Sequence, residues 1–287
     1  MRCVRAGRPG HLRHREQRAG PSRPVVYHRP VTDRAHSESS PVLGDSGVQS
    51  RSLESVASAV RYHDWLTSLA LPWLGDHPVE LGSGLGDYAR RWLAAGVPKI
   101  TLIERDDDRL QVLRRSFRGD PRVQVLDLDV LDPAAAPDGP LHSSYVAFNV
   151  LEHIPDHVQA LRAAHRLVRP GGRVVMLVPA FPFAMGRFDR TVGHVRRYTR
   201  RSLAEAYRAA DLELDRVHYV NAPGLPAWFV GMRLLGMTPG EGPLLRIWDS
   251  VVVPAARAVE NRVRPPFGQS VFAVGIVPFG AGDPRSR

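Results

Sequence analysis

The stretch Val79-Glu80-Leu81-Gly82-Ser83-Gly84-Leu85-Gly86-Asp87 decides the fold. Val79-Glu80-Leu81 is a short strand-prone run, three glycines at alternate positions follow it, and a helix-period stretch runs from Tyr88 to Ala95. Strand, glycine turn and helix in that order open an α/β unit whose turn lets a ligand lie against bare backbone. Three glycines are more than a structural turn needs. A dinucleotide turn of the form G-x-G-x-x-G requires its third glycine at position 87, where Asp87 stands, and a carboxylate there repels a pyrophosphate. The turn therefore suits a ligand without phosphate, which disfavours a nicotinamide-dependent oxidoreductase.

Outward from this unit, strand-like and helix-like stretches alternate. The pattern predicts an entry helix over 48–71, strands at 99–104, 123–128, 145–150, 173–179, 212–221 and 270–277, and helices at 107–117, 156–168 and 202–210. Pro170-Gly171-Gly172 is read as the end of the helix over 156–168. Repeated units of this length require right-handed crossovers and a mostly parallel sheet with helices on both faces. About 222–269 is an insertion, too long for a hairpin, with an apolar stripe (Leu244, Trp248, Val251, Ala255, Val259) that Pro254 should kink or split. Its apolar, aromatic character suits a substrate lid, a dimer surface or a shallow contact with a membrane.

Composition narrows the class. Of 287 residues 43% are apolar and 24% charged, which excludes global disorder, and no apolar run approaches the ~18 residues of a membrane-spanning helix. The N-terminus lacks the apolar middle of a secretory signal, so a cytoplasmic location is expected. Cys3 is the single cysteine, which leaves no internal disulfide and no cysteine-based metal centre. The net charge is +10, but residues 1–40 hold nine arginines against three acidic residues and carry six of those charges. The excess is concentrated in a basic extension over 1–47, with the domain at 48–280 and a tail at 281–287. A charge outside the folded body does not favour a nucleic-acid surface.

Residues just beyond the strand ends are the ligand-facing ones in an open sheet. Glu104 lies 22 residues past Gly82, the spacing at which an acid accepts hydrogen bonds from the hydroxyls of an adenosine ribose. Asp129 is placed to accept from an exocyclic amine such as adenine's, and Asp127 alternates with it. No set of clustered carboxylates suggests a metal ion, and none is expected.

These residues resemble the class I S-adenosylmethionine-dependent methyltransferases, over roughly residues 55–278. Glu80 to Gly86 is similar to the family's first motif, E/D-x-G-x-G-x-G. Glu104 is similar to its ribose-binding acid, Asp129-Val130 to its adenine-contacting pair, 148–154 to the segment ending strand four, and 167–172 to the turn before strand five. The resemblance implies a Rossmann-like seven-stranded sheet with an antiparallel last strand. It implies S-adenosylmethionine as co-substrate, held by Glu80, Gly82, Ser83, Gly84, Gly86, Glu104, Asp129, Val130, Asn149 and Val150. Asn149 stands where many members carry Asp, so an amide replaces a carboxylate there.

The acceptor is expected after strands four and five. A free imidazole titrates near neutrality, which makes a loop histidine suited to proton transfer; His194 is the candidate general base, with His153 second. Tyr62, Arg197 and Tyr198 are candidate acceptor-binding residues; the Arg196-Arg197 pair suits an anionic acceptor, and Phe181 to Met185 suits a pocket wall. The expected reaction is methyl transfer to a small-molecule or lipid-linked O-, C- or N-nucleophile. An RNA or DNA acceptor is the alternative, but the D/N-P-P-Y/F signature is missing, since Asn149 is followed by Val150-Leu151. A catalytically silent binding module is a further alternative.

Overall fold

The computed structural model describes residues 44, 45, 47–49, 58–134, 141–234 and 242–279, all within the unit Ser40–Arg287. The basic extension falls outside these residues apart from Gly44, Asp45 and Gly47, as does the tail over 281–287.

Seven strands form one sheet in the order β3-β2-β1-β4-β5-β7-β6. They are β1 (Pro78–Leu81), β2 (Ile100–Ile103), β3 (Val123–Leu126), β4 (His142–Phe148), β5 (Val168–Pro179), β6 (Glu213–Val220) and β7 (Ser270–Ile276). The first five run parallel, with Val79 opposite both Thr101 and Tyr145, while β7 is antiparallel to β5 and β6. Both faces are covered, so β1, β2 and β4 are buried along their length. On one face α1 (Val60–Leu74), α2 (Asp87–Ala94) and α3 (Asp107–Ser116) bring Trp65, Leu66, Trp92 and Leu113 onto the sheet. On the other, α4 (His157–Arg162), α5 (Ala164–Leu167) and α7 (Arg200–Ala209) bring Leu161, Leu167, Leu203 and Tyr207. The short α6 (Arg187–Thr191) lies in the β5–α7 connection.

The strand order reverses between β1 and β4, and the crevice there opens at the carboxyl ends of the strands. This is the expected Rossmann-like arrangement. Three details differ from the sequence reading. The entry helix expected over 48–71 begins at Val60 and runs to Leu74. Pro170-Gly171-Gly172 does not simply end a helix: Gly171 N–H donates to the Val277 carbonyl at 2.8 Å and Val277 N–H to Gly172 at 3.0 Å, which prolongs β5 backwards to Val168. The helix expected over 156–168 is divided at Ala163.

The connection from β6 to β7 contains α8 (Gly224–Trp228), π-helical turns at Phe229–Leu234 and Trp248–Val252, α9 (Pro243–Ile247) and α10 (Val253–Glu260), with Pro254 in the first turn of α10. It is fastened to the body by carboxylates. Asp249 accepts from the N–H groups of Arg61 and Tyr62 at 3.1 and 2.9 Å, and Glu260 from those of Asn221 and Ala222 at 2.9 and 2.8 Å. Ala59 at the start of α1 offers no capping side chain, so Asp249 satisfies those donors from 187 residues away. Asp249→Ala is expected to cost about 1 kcal/mol, the usual worth of a lost cap. A lowered thermal midpoint with an unchanged denaturant slope checks it. Among the described residues no helix is long and apolar enough to cross a membrane.

Candidate active site

The glycine turn leaves β1 by hydrogen-bonding back to β2: the N–H groups of Gly82 and Ser83 both donate to the Ile103 carbonyl, at 2.8 and 3.1 Å. Gly84 has φ +56°, a left-handed conformation that a side-chain-bearing residue adopts only under strain, most of all a β-branched one. Gly82 is fixed by space as well, since a Cβ there would lie 2.6 Å from Val150 Cγ2. The Gly84 N–H donates to Glu104 Oε2 at 2.9 Å, tying the turn to the end of β2. Glu104 Oε1 accepts from the N–H groups of Arg105 and Asp106 and, at 3.5 Å, from Arg109 Nη2.

A cavity of about 420 Å³ opens over this turn. Of the residues expected at the cofactor, Gly82, Ser83, Gly84, Glu104, Asp129, Val130, Asn149 and Val150 line it. Asn149 stands just past β4 with φ +53°, strained backbone for a residue other than glycine. Arg105 bridges to both Asp129 and Asp127, so the two acids are turned to one guanidinium. Gly86 and Glu80 do not line the cavity. Glu80 is buried behind the turn, its Oε2 has no hydrogen-bond partner, and burial pushes its carboxyl up to about 8.

The cavity is also lined by His153, His194, Arg197 and Tyr62, four of the residues expected at its acceptor end. Tyr198 is not among them: its ring packs in the core and its hydroxyl meets His157 Nδ1 at 3.0 Å. The Phe181–Met185 run is not a cavity wall either, since Phe181 stacks on Tyr219 and Phe183 is largely exposed. Arg196 turns its guanidinium to the Pro155 carbonyl at 2.7 Å. Arg197 donates to Asp189 through Nε and Nη2, at 2.9 and 2.8 Å, and to the Ala180 carbonyl through Nη1. Its charge is compensated inside the protein, so the pair is not the anion clamp its sequence suggested.

Asp189 is fully buried and organises this end. Burial alone would raise its pKa, but the His194 hydrogen bond and the Arg197 guanidinium hold it below the ordinary value. His194 Nδ1 is 2.8 Å from Asp189 Oδ1, and its Nε2 is 3.8 Å from Glu152 Oε1. Glu152 is fully buried, neither of its oxygens has a hydrogen-bond partner, and burial raises its carboxyl to about 7. The His153 ring stands edge-on to His194 at 4.6 Å, and burial lowers its pKa to about 3.

Several lining residues carried no assignment from sequence: Gln49, His63, Arg109, Phe188, Trp228 and Ser270. Trp228 comes from the insertion, stacks under Arg197 at 4.9 Å, and keeps its Nε1 buried without a partner. The apolar, aromatic character of the insertion was the only sequence signal. Gln49 reaches the cavity from before α1, donating to the Val192 carbonyl at 2.7 Å and accepting from Arg109 Nη1 at 3.3 Å.

Residues 62–217, more than half of the chain, match the model of a family described as a methyltransferase domain. The chain belongs to this family, the class I S-adenosylmethionine-dependent methyltransferases. The methyltransferase is 31% identical to a ubiquinone/menaquinone biosynthesis C-methyltransferase UbiE of Acidiphilium cryptum, over 34% of this chain and 40% of that protein. It is 34% identical to a ribosomal RNA small subunit methyltransferase A of Anaeromyxobacter dehalogenans, over 37% of this chain and 46% of that protein. The methyltransferase thus aligns with less than half the length of either relative. A geranyl diphosphate methyltransferase solved in complex with S-adenosylmethionine superimposes with a TM-score of 0.54 at 17% identity, covering 82% of this chain and 94% of that one. At that identity the likeness concerns the fold.

Proposed function

We propose that this methyltransferase moves the methyl group of S-adenosylmethionine to a small-molecule or lipid-linked acceptor and releases S-adenosylhomocysteine. The observation that carries the reading is a single cavity lined both by the glycine turn and Glu104 and by His153, His194 and Arg197. Bound there, S-adenosylmethionine supplies an electrophilic methyl carbon on a positive sulfur. The protein must then position a nucleophile in line with it, exclude water and favour the nucleophile's ionised form.

Glu104 receives the ribose: its Oε2 accepts one hydrogen bond from Gly84 and keeps a lone pair for a hydroxyl. On Oε1, Arg109 is the most distant donor and the one a second hydroxyl displaces. Asp129 and Val130 face the base. Ser83, Asn149 and Val150 line the methionine side, while Glu80 and Gly86 act from behind by shaping the turn. His194 and His153 are the catalytic residues, meeting the acceptor's nucleophilic atom. Tyr62 and Trp228 border the acceptor, with Trp228 Nε1 a free donor for it. With Arg197 compensated by Asp189, a neutral acceptor fits better than an anionic one. The insertion exposes Leu244, Ile247, Val251 and Val259, which supports a lipid-linked acceptor presented at a membrane surface. Calorimetry with S-adenosylhomocysteine tests the cofactor assignment: saturable binding is expected, and its absence contradicts the proposal.

A nucleic-acid acceptor is the second reading, favoured by the ribosomal RNA methyltransferase relatives. Filter binding of RNA to chains with and without residues 1–45 separates the two: equal, tight binding by both favours RNA as the acceptor.

Glu80 gives a stability prediction. Its folded pKa of about 8 lies above the unfolded value of 4.5, so the folded state holds the proton more tightly. The group's stabilising contribution is complete below pH 4.5 and is lost as the pH rises towards 8. Glu80→Gln, which cannot ionise, is therefore expected to stabilise the protein at pH 8 by about 1–3 kcal/mol and to make little difference near pH 4.5. Denaturant titrations at the two pH values check both sign and size.

A further inference from the structure

We propose that Glu152, His153 and His194 bind a first-row divalent transition-metal ion at the acceptor end of the cavity. Each offers one ligand atom, and the three atoms lie within 4.8 Å of one another. His194 and His153 line the cavity and Glu152 is fully buried behind them. A hydrogen bond from His194 Nδ1–H to Asp189 Oδ1 at 2.8 Å leaves the lone pair of Nε2 facing Glu152 Oε1. A carboxylate that orients a ligating imidazole in this way is the usual outer shell of a metal-binding histidine. Asp189 is in turn held by Arg197.

Buried polar atoms of this cluster lack partners: both Glu152 oxygens, and Nδ1 of the His153 ring, have no hydrogen bond. A buried carboxylate without a donor is costly, and a cation beside it offsets that cost. Two imidazoles and one carboxylate suit Mn²⁺, Fe²⁺, Co²⁺ or Zn²⁺ better than Mg²⁺ or Ca²⁺, which take oxygen ligands. Ligand atoms about 2.1 Å from an ion stand about 3.0–3.4 Å apart, so the side chains draw together by roughly an ångström on binding. Three protein ligands leave coordination positions open towards the cavity.

The role of the ion rests on the proposed methyl transfer, although its binding does not. An acceptor hydroxyl on an open position gives its proton to water, and the two histidines act as ligands. The oxygen then bonds to the methyl carbon, the carbon–sulfur bond breaks, and its electron pair stays on sulfur. The acceptor class this favours is an alcohol or phenol.

The test uses the full, tag-free chain stripped with EDTA, then titrated with Co²⁺ by calorimetry and visible absorption. S-adenosylhomocysteine binding is measured on the same sample. A cobalt absorption band that Zn²⁺ abolishes is expected, since Zn²⁺ binds such sites more tightly. His11, His14, His28 and His36 offer nitrogen ligands elsewhere in the chain, so the comparison with Glu152→Gln decides the location. That variant should lose at least 100-fold in Co²⁺ affinity while retaining S-adenosylhomocysteine binding, and Asp189→Asn should lose about 10–100-fold. Should Glu152→Gln fail to fold, His194→Asn takes its place. Absence of a cobalt band in the wild type, or equal affinity in a folded variant, overturns the site. Cobalt binding without S-adenosylhomocysteine binding leaves the site standing and refutes the methyltransferase reading instead.

Discussion

Gly84→Val should abolish binding of S-adenosylhomocysteine while leaving a cooperatively folded protein. Two effects combine at this position. The residue holds φ +56°, which a β-branched side chain adopts at a cost of about 1–2 kcal/mol, so the turn relaxes towards another conformation. Any such change breaks the 2.9 Å hydrogen bond from the Gly84 N–H to Glu104 Oε2 and turns away the carboxylate proposed to hold the ribose. The added side chain also enters a turn whose atoms line the cavity, filling space that the ligand needs. The scaffold around it, Trp92, Ile100 and Val146 among it, is a buried core of which Gly84 is not a member. Calorimetry should therefore show no measurable heat up to the highest practical ligand concentration, and thermal denaturation should still show one transition. Unchanged affinity would remove the turn from the site.

His194→Ala should lower turnover about 10²-fold or more. The residue is joined through Nδ1 to a buried aspartate, faces Glu152 through Nε2 and lines the cavity. Few surroundings leave a structural histidine so placed. Whether it takes a proton or holds an ion, the nucleophile loses its ionising partner, and the loss falls on kcat. S-adenosylhomocysteine affinity should move little, because His194 is not among the residues proposed to hold the cofactor. Arg196→Ala is the natural control: its Nη2 donates to the Pro155 carbonyl and the residue does not line the cavity, so kcat should change less than threefold. A loss below threefold in His194→Ala itself demotes the histidine to packing.

The sheet was legible because it is written locally, and so was the glycine turn proposed to hold the co-substrate. The buried strands read as apolar runs, and Gly82, Gly84 and Glu104 sit at spacings that the βαβ geometry imposes. The acceptor end was not, because its chemistry is assembled from distant segments. Glu152 and His194 are 42 residues apart, Asp189 could not be told from a solvated acid, and Trp228 arrives from an insertion with no strand to index it. Spacing can also mislead. His153 and His157 stand four apart, as two ligands on one helix would, but Pro155 lies between them, and His157 begins α4 and turns to Tyr198. Tyr198 and Phe181 read as pocket residues because both lie in the segment after β5, yet both are taken up by packing. The capping of α1 by Asp249, 187 residues away, had no signal in sequence at all.

Everything proposed for this site depends on where the nucleoside of the co-substrate rests. A crystal structure of the wild-type protein grown with sinefungin asks this most directly. The prediction is adenosine density along residues 82–86, a ribose hydroxyl within hydrogen-bond distance of Glu104 Oε2, and the base beside Asp129 and Val130. Density elsewhere on the protein, or a crevice holding solvent at a saturating ligand concentration, would contradict it.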